Sequence, residues 1–174
     1  MNLTEIIEAL RQKIAVPAGR HLYGVLGTYA SLEAFAASLQ QAKTLDGASF
    51  PKPLSVNRGI LDAIPDDEFK RLAENEAKHP IPTAAHVKRA FEEFLRRVLS
   101  NGGIVILSDL ELLFTYNTEM NLLRTLATDD SKLLLLLPGR RSGGRIVMFH
   151  EAGEGDYTLP TNLIADNHLW EIGD

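Results

Sequence analysis

Two uninterrupted apolar runs, GIVILSD at 103–109 and KLLLLLPG at 132–139, constrain this chain more than any other feature. A short run of consecutive apolar residues bounded by glycine or proline suits a strand covered on both faces, since a half-solvated strand would alternate apolar with polar side chains. Five consecutive leucines also suit a helix, but the short length and the Pro138-Gly139 stop select a strand. Strands buried on both sides belong to parallel sheets sandwiched between helices.

The intervening sequence supplies those helices. Leu3, Ile6, Ile7, Leu10 and Ile14 recur at helical spacing behind Asn2 or Thr4 as cap, and Pro17 with Gly19 ends the segment. A strand is expected at LYGVL before Gly27, then a helix whose stripe is Leu32, Phe35, Ala36 and Leu39. Residues 44–57 read as a loop with one weak strand around LSV, and DDEFKRLAENEAK (66–78) as a solvated helix burying only Phe69 and Leu72. Thr83 is expected to cap the next helix, which buries Val87, Ala90, Phe91, Phe94, Leu95 and Val98 and stops at Asn101-Gly102-Gly103. A helix over 118–128 and strands at RIVMF and HLWEI complete the pattern, the last two separated by the glycine-rich EAGEGDY turn. The expectation is one α/β domain over 1–174, with a mostly parallel sheet closed by an antiparallel C-terminal edge.

Composition narrows the functions. A net charge of −5 provides no general electrostatic drive toward nucleic acid, whose binding rests on Lys and Arg neutralising phosphates. Cysteine is absent, which removes disulfides, thiolate metal sites and cysteine nucleophiles. The charged N-terminus does not read as a signal peptide, and the longest apolar run falls far short of the ~20 residues of a membrane helix. A cytoplasmic, soluble protein is expected.

The stretch GVLGTYASLEAF (24–35) has the layout of a phosphate-binding loop: apolar strand, glycine, amphipathic helix. With Gly27 as the first glycine of G-x-x-x-x-G-K-[ST], the remaining motif positions fall on Leu32, Glu33 and Ala34. Leucine replaces the glycine, the lysine's charge is reversed, and the Mg²⁺-side hydroxyl is missing. Gly27, Thr28 and Ser31 are therefore positions of a degenerate nucleotide loop. Asp109, ending an apolar strand, stands where a Mg²⁺-orienting aspartate stands in P-loop NTPases, or else caps the turn into LELLF. An ordinary strand-to-helix turn is the simpler reading of the first stretch. Arg140, Arg141 and Arg145 lie in PGRRSGGR, read as a loop after a buried strand; they suit an anion or an acidic partner, or serve as a solvated turn.

Other chemistry is sparse. No G-x-S-x-G elbow occurs, and His21, His79, His86, His150 and His168 include no pair at helical metal spacing. Asp129-Asp130 reads as a solvated turn and Trp170 as core packing. No catalytic residue, metal or cofactor is expected.

Across 104–149, IVILSDLELLF, NLLRTL, LLLLLPG and GGRIVMF resemble the small accessory proteins of BREX phage-defence systems, the BrxF and BrxB types. BrxF-type proteins are P-loop proteins of similar size, and the order helix, strand, loop over 3–35 is similar to theirs. The resemblance implies a P-loop-NTPase-like, RecA-type three-layer domain. The altered loop departs from BrxF, whereas BrxB-type proteins serve complex assembly beside a PglZ-type partner without such a loop. A non-catalytic adaptor contacting a PglZ-type or ATPase subunit, and nucleic acid only indirectly, is the leading expectation. The alternatives are a small nucleotide-binding ATPase or regulatory subunit, and a nucleic-acid-associated module using the three arginines.

Overall fold

The computed structural model describes residues 1–148 and 157–173. The elements are α1 (Leu3–Ile14), β1 (Leu22–Gly27), α2 (Tyr29–Gln41), β2 (Leu54–Ser55), α3 (Val56–Ala63), α4 (Asp66–Asn75) and α5 (Pro80–Leu99). They continue with β3 (Gly103–Ser108), α6 (Glu111–Thr115), α7 (Asn121–Leu126), β4 (Ser131–Ser142), β5 (Arg145–Met148), a 3-10 turn (Asp166–His168) and β6 (Leu169–Glu171). The sheet has the order β2-β3-β4-β1-β6, every neighbouring pair parallel, while β5 pairs antiparallel with the end of β4. The protein is thus α/β with a mostly parallel sheet, as the apolar runs required.

Successive side chains on a strand point to opposite faces, and here both faces are covered. Leu133, Leu135 and Leu137 of β4 join Leu22, Leu26, Val105 and Leu107 in one core, packed against Val56, Ile60, Phe91 and Leu95 of α3 and α5. Leu134 and Leu136 join Tyr23, Val25 and Ile106 in the other, beneath Ile6 and Leu10 of α1 and Phe35 and Leu39 of α2. The connection from β1 runs through α2 to the edge strand β2; those from β2 to β3 and from β3 to β4 return along the opposite face. Crossovers of one hand must change face when they reverse direction across a sheet, and this sorts the helices.

Local chemistry sets the boundaries. The Asn2 side chain accepts from the Glu5 N–H and Glu5 accepts from the Asn2 N–H, a reciprocal cap of α1. Helix α5 starts at Pro80, not at a Thr83 cap, because a proline at the first helical position loses no intrahelical hydrogen bond; Thr83 is buried within it. The helix expected over 118–128 is confined to 121–126, and the short α6, unforeseen, occupies 111–115.

Two expectations at the C-terminal end are corrected. Strand β6 is parallel to β1, pairing Gly24 with Leu169 and Leu26 with Glu171, so the sheet's closing edge is not antiparallel. PGRRSGGR is a β-hairpin and not a loop: β4 runs on to Ser142, and Gly143 (φ 55) with Gly144 (φ 76) makes a two-residue turn. Positive φ at both central residues matches the twist of the flanking strands and favours glycine there. The EAGEGDY turn, up to residue 156, and Phe149 and His150 lie outside the described residues.

Candidate functional site

The end of β3 and the last parallel residues of β4 meet the start of α2 at a crevice of about 320 Å³, lined by Tyr29, Glu33, Asp109 and Glu111 with Leu136 and Pro138 as part of its wall; Gly27, Thr28 and Ser31 are not in its lining. Open α/β sheets bind ligands at this edge, where connections leave toward opposite faces. The fold therefore brings the 27–31 stretch and Asp109 to the same end of the sheet, although Ser31 and Asp109 are 78 positions apart in sequence.

The junction between β1 and α2 is one residue long. Thr28, in extended conformation, caps α2: its Oγ1 accepts the Ser31 N–H at 3.1 Å, and Ser31 Oγ donates to the Thr28 carbonyl at 3.0 Å. Gly27 is glycine because of this turn, since a Cβ there would lie 2.5 Å from Ser31 Oγ and 3.2 Å from Ile172 Cδ1. A phosphate cradle needs several consecutive backbone N–H groups turned toward the anion. Here the connection has no length to wrap, and the Ser31 amide is already satisfied. Leu32 is buried in the core under α2, Glu33 faces the crevice and Ala34 is exposed.

Asp109 follows β3 with φ 53, and its carbonyl accepts the Asn57 N–H at 2.9 Å. Asp109 is thereby tied to the start of α3. A second bridge crosses the crevice: Tyr29 Oη donates to Glu111 Oε1 at 3.0 Å, and Asn57 Nδ2 donates to Glu111 Oε2 at 2.8 Å. Asn57 Oδ1 in turn accepts the Leu112 N–H at 2.9 Å. The lining thus carries three carboxylates, Glu33, Asp109 and Glu111, and neither lysine nor arginine. Such a lining repels polyphosphate. Among the described residues no group of three or more His, Asp or Glu is arranged to hold a metal ion.

The arginines stand apart from this crevice. In β4, Arg141 lies opposite Ile146 and Arg140 opposite Val147, so the pleat turns Arg140 and Arg141 to opposite faces. Arg141 Nη2 donates to the Leu169 carbonyl at 3.1 Å and Nη1 lies 3.5 Å from Asp166. Arg141 and Arg145 line a separate groove of about 600 Å³ together with Arg20 and Arg124; Arg140 is exposed outside it.

Three of the described histidines pack against neighbouring side chains, and His168 also lines the arginine groove. His21 is buried, its Nδ1 2.7 Å from Tyr23 Oη, and burial, reinforced by Lys132, pushes its pKa down against the opposing pull of Asp129. Tyr23 stacks on Trp170, and burial raises its phenol to about 12. His168 packs 4.7 Å from the Tyr23 ring, and burial likewise lowers its pKa. His86 lies 3.0 Å from Glu68 on the surface of α4 and α5.

Sequence reasoning missed Tyr29, Asn57 and Glu111 as a bridge, and Arg20 and Arg124 as groove residues. Glu111 had one signal, its place two residues beyond the aspartate ending an apolar strand. Arg20 and Arg124 had none, because only the pairing of β1 with β4 draws them together.

Fold and crevice define this as an α/β protein whose sheet is mostly parallel and whose carboxyl edge is acidic. No protein-family model, curated protein or solved structure matches the chain.

Proposed function

We propose that this chain is a non-catalytic adaptor of P-loop, RecA-type descent, acting through protein contacts in a BREX-type anti-phage defence complex in the cytoplasm. The observation that carries the non-catalytic reading is the carboxyl-edge crevice. Its lining holds three carboxylates and no cation, and the junction leading into α2, which supplies Tyr29 and Glu33 to it, is a single self-capped residue. Descent is supported by the mostly parallel sheet between two helical layers, with Asp109 following β3 and lining the crevice together with Tyr29 and Glu33 of the helix that follows β1. The adaptor role is supported by large apolar side chains left exposed on three successive helices: Leu61 on α3, Phe69 on α4 and Ile81 on α5, the last 81% exposed. Exposed apolar side chains of this kind mark partner surfaces when they form a continuous patch. The PglZ-type or ATPase subunit as partner follows from the resemblance across 104–149.

The test is co-expression of the full chain with each protein encoded beside its gene, followed by size-exclusion chromatography with light scattering. A stoichiometric complex weakened by Phe69→Glu with Ile81→Glu is expected. Failure of every neighbouring product to bind overturns the adaptor reading. ATP turnover, or Mg-ATP binding lost on Asp109→Asn, overturns the non-catalytic one.

A further inference from the structure

The groove of about 600 Å³, which shares no lining residue with the acidic crevice, is built from segments distant in sequence: Arg20 before β1, Arg124 in α7, Arg141 and Arg145 of the hairpin, and residues within 158–168. Its lining includes four arginines and one carboxylate residue, Asp166, in a chain whose net charge is −5. That carboxylate is 96% exposed and lies 3.5 Å from Arg141 alone. Arg20, Arg124 and Arg145 have no side-chain hydrogen bond or ion pair among the described residues, and the Nε of Arg124 is shut off from solvent without an acceptor.

Guanidinium groups with planar, paired donors bind phosphate oxygens two at a time, and a buried donor without an acceptor is unfavourable until one arrives. Cations lining one groove also repel one another, and an anion in the groove relieves that cost. The rest of the lining is mixed: Leu22, Leu159, Leu163 and Ile164 are each buried and form part of its walls, and Thr158, Thr161, Asn162 and His168 add uncharged polar groups and an imidazole. A turn from Pro160 to Leu163, closed by a 3.2 Å hydrogen bond and with Asn162 at φ 65, shapes one rim. The volume lies within the range of about 300–1,000 Å³ typical of small-molecule sites.

We propose that this groove binds a small organic phosphate of nucleotide size, its phosphate held by Arg124, Arg141 and Arg145 and its apolar body lying against Leu159 and Leu163. The site is separate from the acidic crevice and does not depend on the adaptor reading.

Isothermal titration of the full chain with AMP, adenosine, pyrophosphate and inorganic phosphate tests it, alongside short single strands with and without a 5′-phosphate. AMP is expected to bind saturably and adenosine at least tenfold more weakly, about the worth of one charge-assisted contact. Arg145→Gln, at the exposed hairpin tip, and Arg124→Lys, which keeps the charge but not the paired donors, are each expected to weaken AMP about tenfold. Asp109→Asn is expected to leave it unchanged. A 5′-phosphorylated strand binding better than its unphosphorylated twin identifies a strand end as the phosphate source. Equal binding of both strands with no binding of AMP overturns the proposal, as does AMP binding that is lost on Asp109→Asn. Absence of binding by both AMP and the 5′-phosphorylated strand also overturns it.

Discussion

Writing the missing nucleotide-loop residues back into α2 should damage the protein without creating a nucleotide site. The perturbation is the triple substitution Leu32→Gly, Glu33→Lys and Ala34→Ser, which completes G-x-x-x-x-G-K-[ST] from Gly27. Leu32 is 6% exposed, packed in the core that holds Phe35 and Leu136, and its N–H closes the first turn of α2 on the Thr28 carbonyl at 2.9 Å. Truncating a buried leucine to alanine costs about 2–5 kcal/mol. Glycine in place of alanine within a helix adds about 1 kcal/mol. The exposed changes at Glu33 and Ala34 contribute within about 0.5 kcal/mol. The triple variant should therefore lose about 3–6 kcal/mol of a total stability of about 5–15 kcal/mol. Urea unfolding followed by circular dichroism measures this, as a fall in midpoint at constant slope. Calorimetry with Mg-ATP should show no gain in affinity over the parent protein, because motif residues cannot cradle phosphate across a one-residue junction. Glu33→Lys with Ala34→Ser separates the two effects, since it spares Leu32 and should remain as stable as the parent while gaining no affinity. A stable triple variant that gains tight, Mg²⁺-dependent ATP binding would refute the reasoning, showing that the junction opens into a cradle.

Two further predictions concern stability. Gly59 of α3 sits against the buried ring of Phe94 on α5, where an added Cβ would lie 2.3 Å from Cδ2. Overpacking costs about 1–3 kcal/mol, against about 1 kcal/mol gained in helix propensity. Gly59→Ala should then lower the Tm by up to about 8 °C in differential scanning calorimetry, and a stabilised variant would show that α3 and α5 separate freely. The second is a pH dependence: burial lowers the pKa of both His21 and His168, so the folded state keeps them neutral. Below about 6.5 the unfolded chain binds protons that the fold refuses, and stability that is full above that pH declines on acidification toward the depressed values. The carboxylates with lowered pKa, Glu8 and Asp46, lose their contribution only in more acidic solution, which isolates the histidines between about pH 6.5 and 5. Tm should fall across that window and fall less in His168→Gln; a Tm that rises there contradicts the burial argument.

The fold was legible where one physical term dominates. Gly103–Ser108 and Leu133–Leu137 are strands because an unbroken apolar run must be covered on both faces. The stripes of α1, α2 and α5 are legible because only one face of each is apolar. What failed were readings that depended on partners. HLWEI carries no mark of the strand beside it, and its parallel pairing with β1 arises from the path the chain takes to reach that edge. The hairpin at Gly143-Gly144 was hidden by its three arginines, which read as solvated loop although the glycine pair carried the turn.

The candidate site divides along the same line. Leu32, Glu33 and Ala34 alone establish that the nucleotide motif is incomplete, because charge and side-chain size are properties of residues. Only tertiary structure decided that the junction has a single residue, that Tyr29, Asn57 and Glu111 bridge the crevice, and that Asp109 adds to an acidic wall. Only tertiary structure, too, moved Arg140 away from Arg141 and brought Arg20 and Arg124 to one groove. A sequence records which charges a chain owns. Their energies depend on distance and burial, and those exist only once strands far apart in the chain lie side by side.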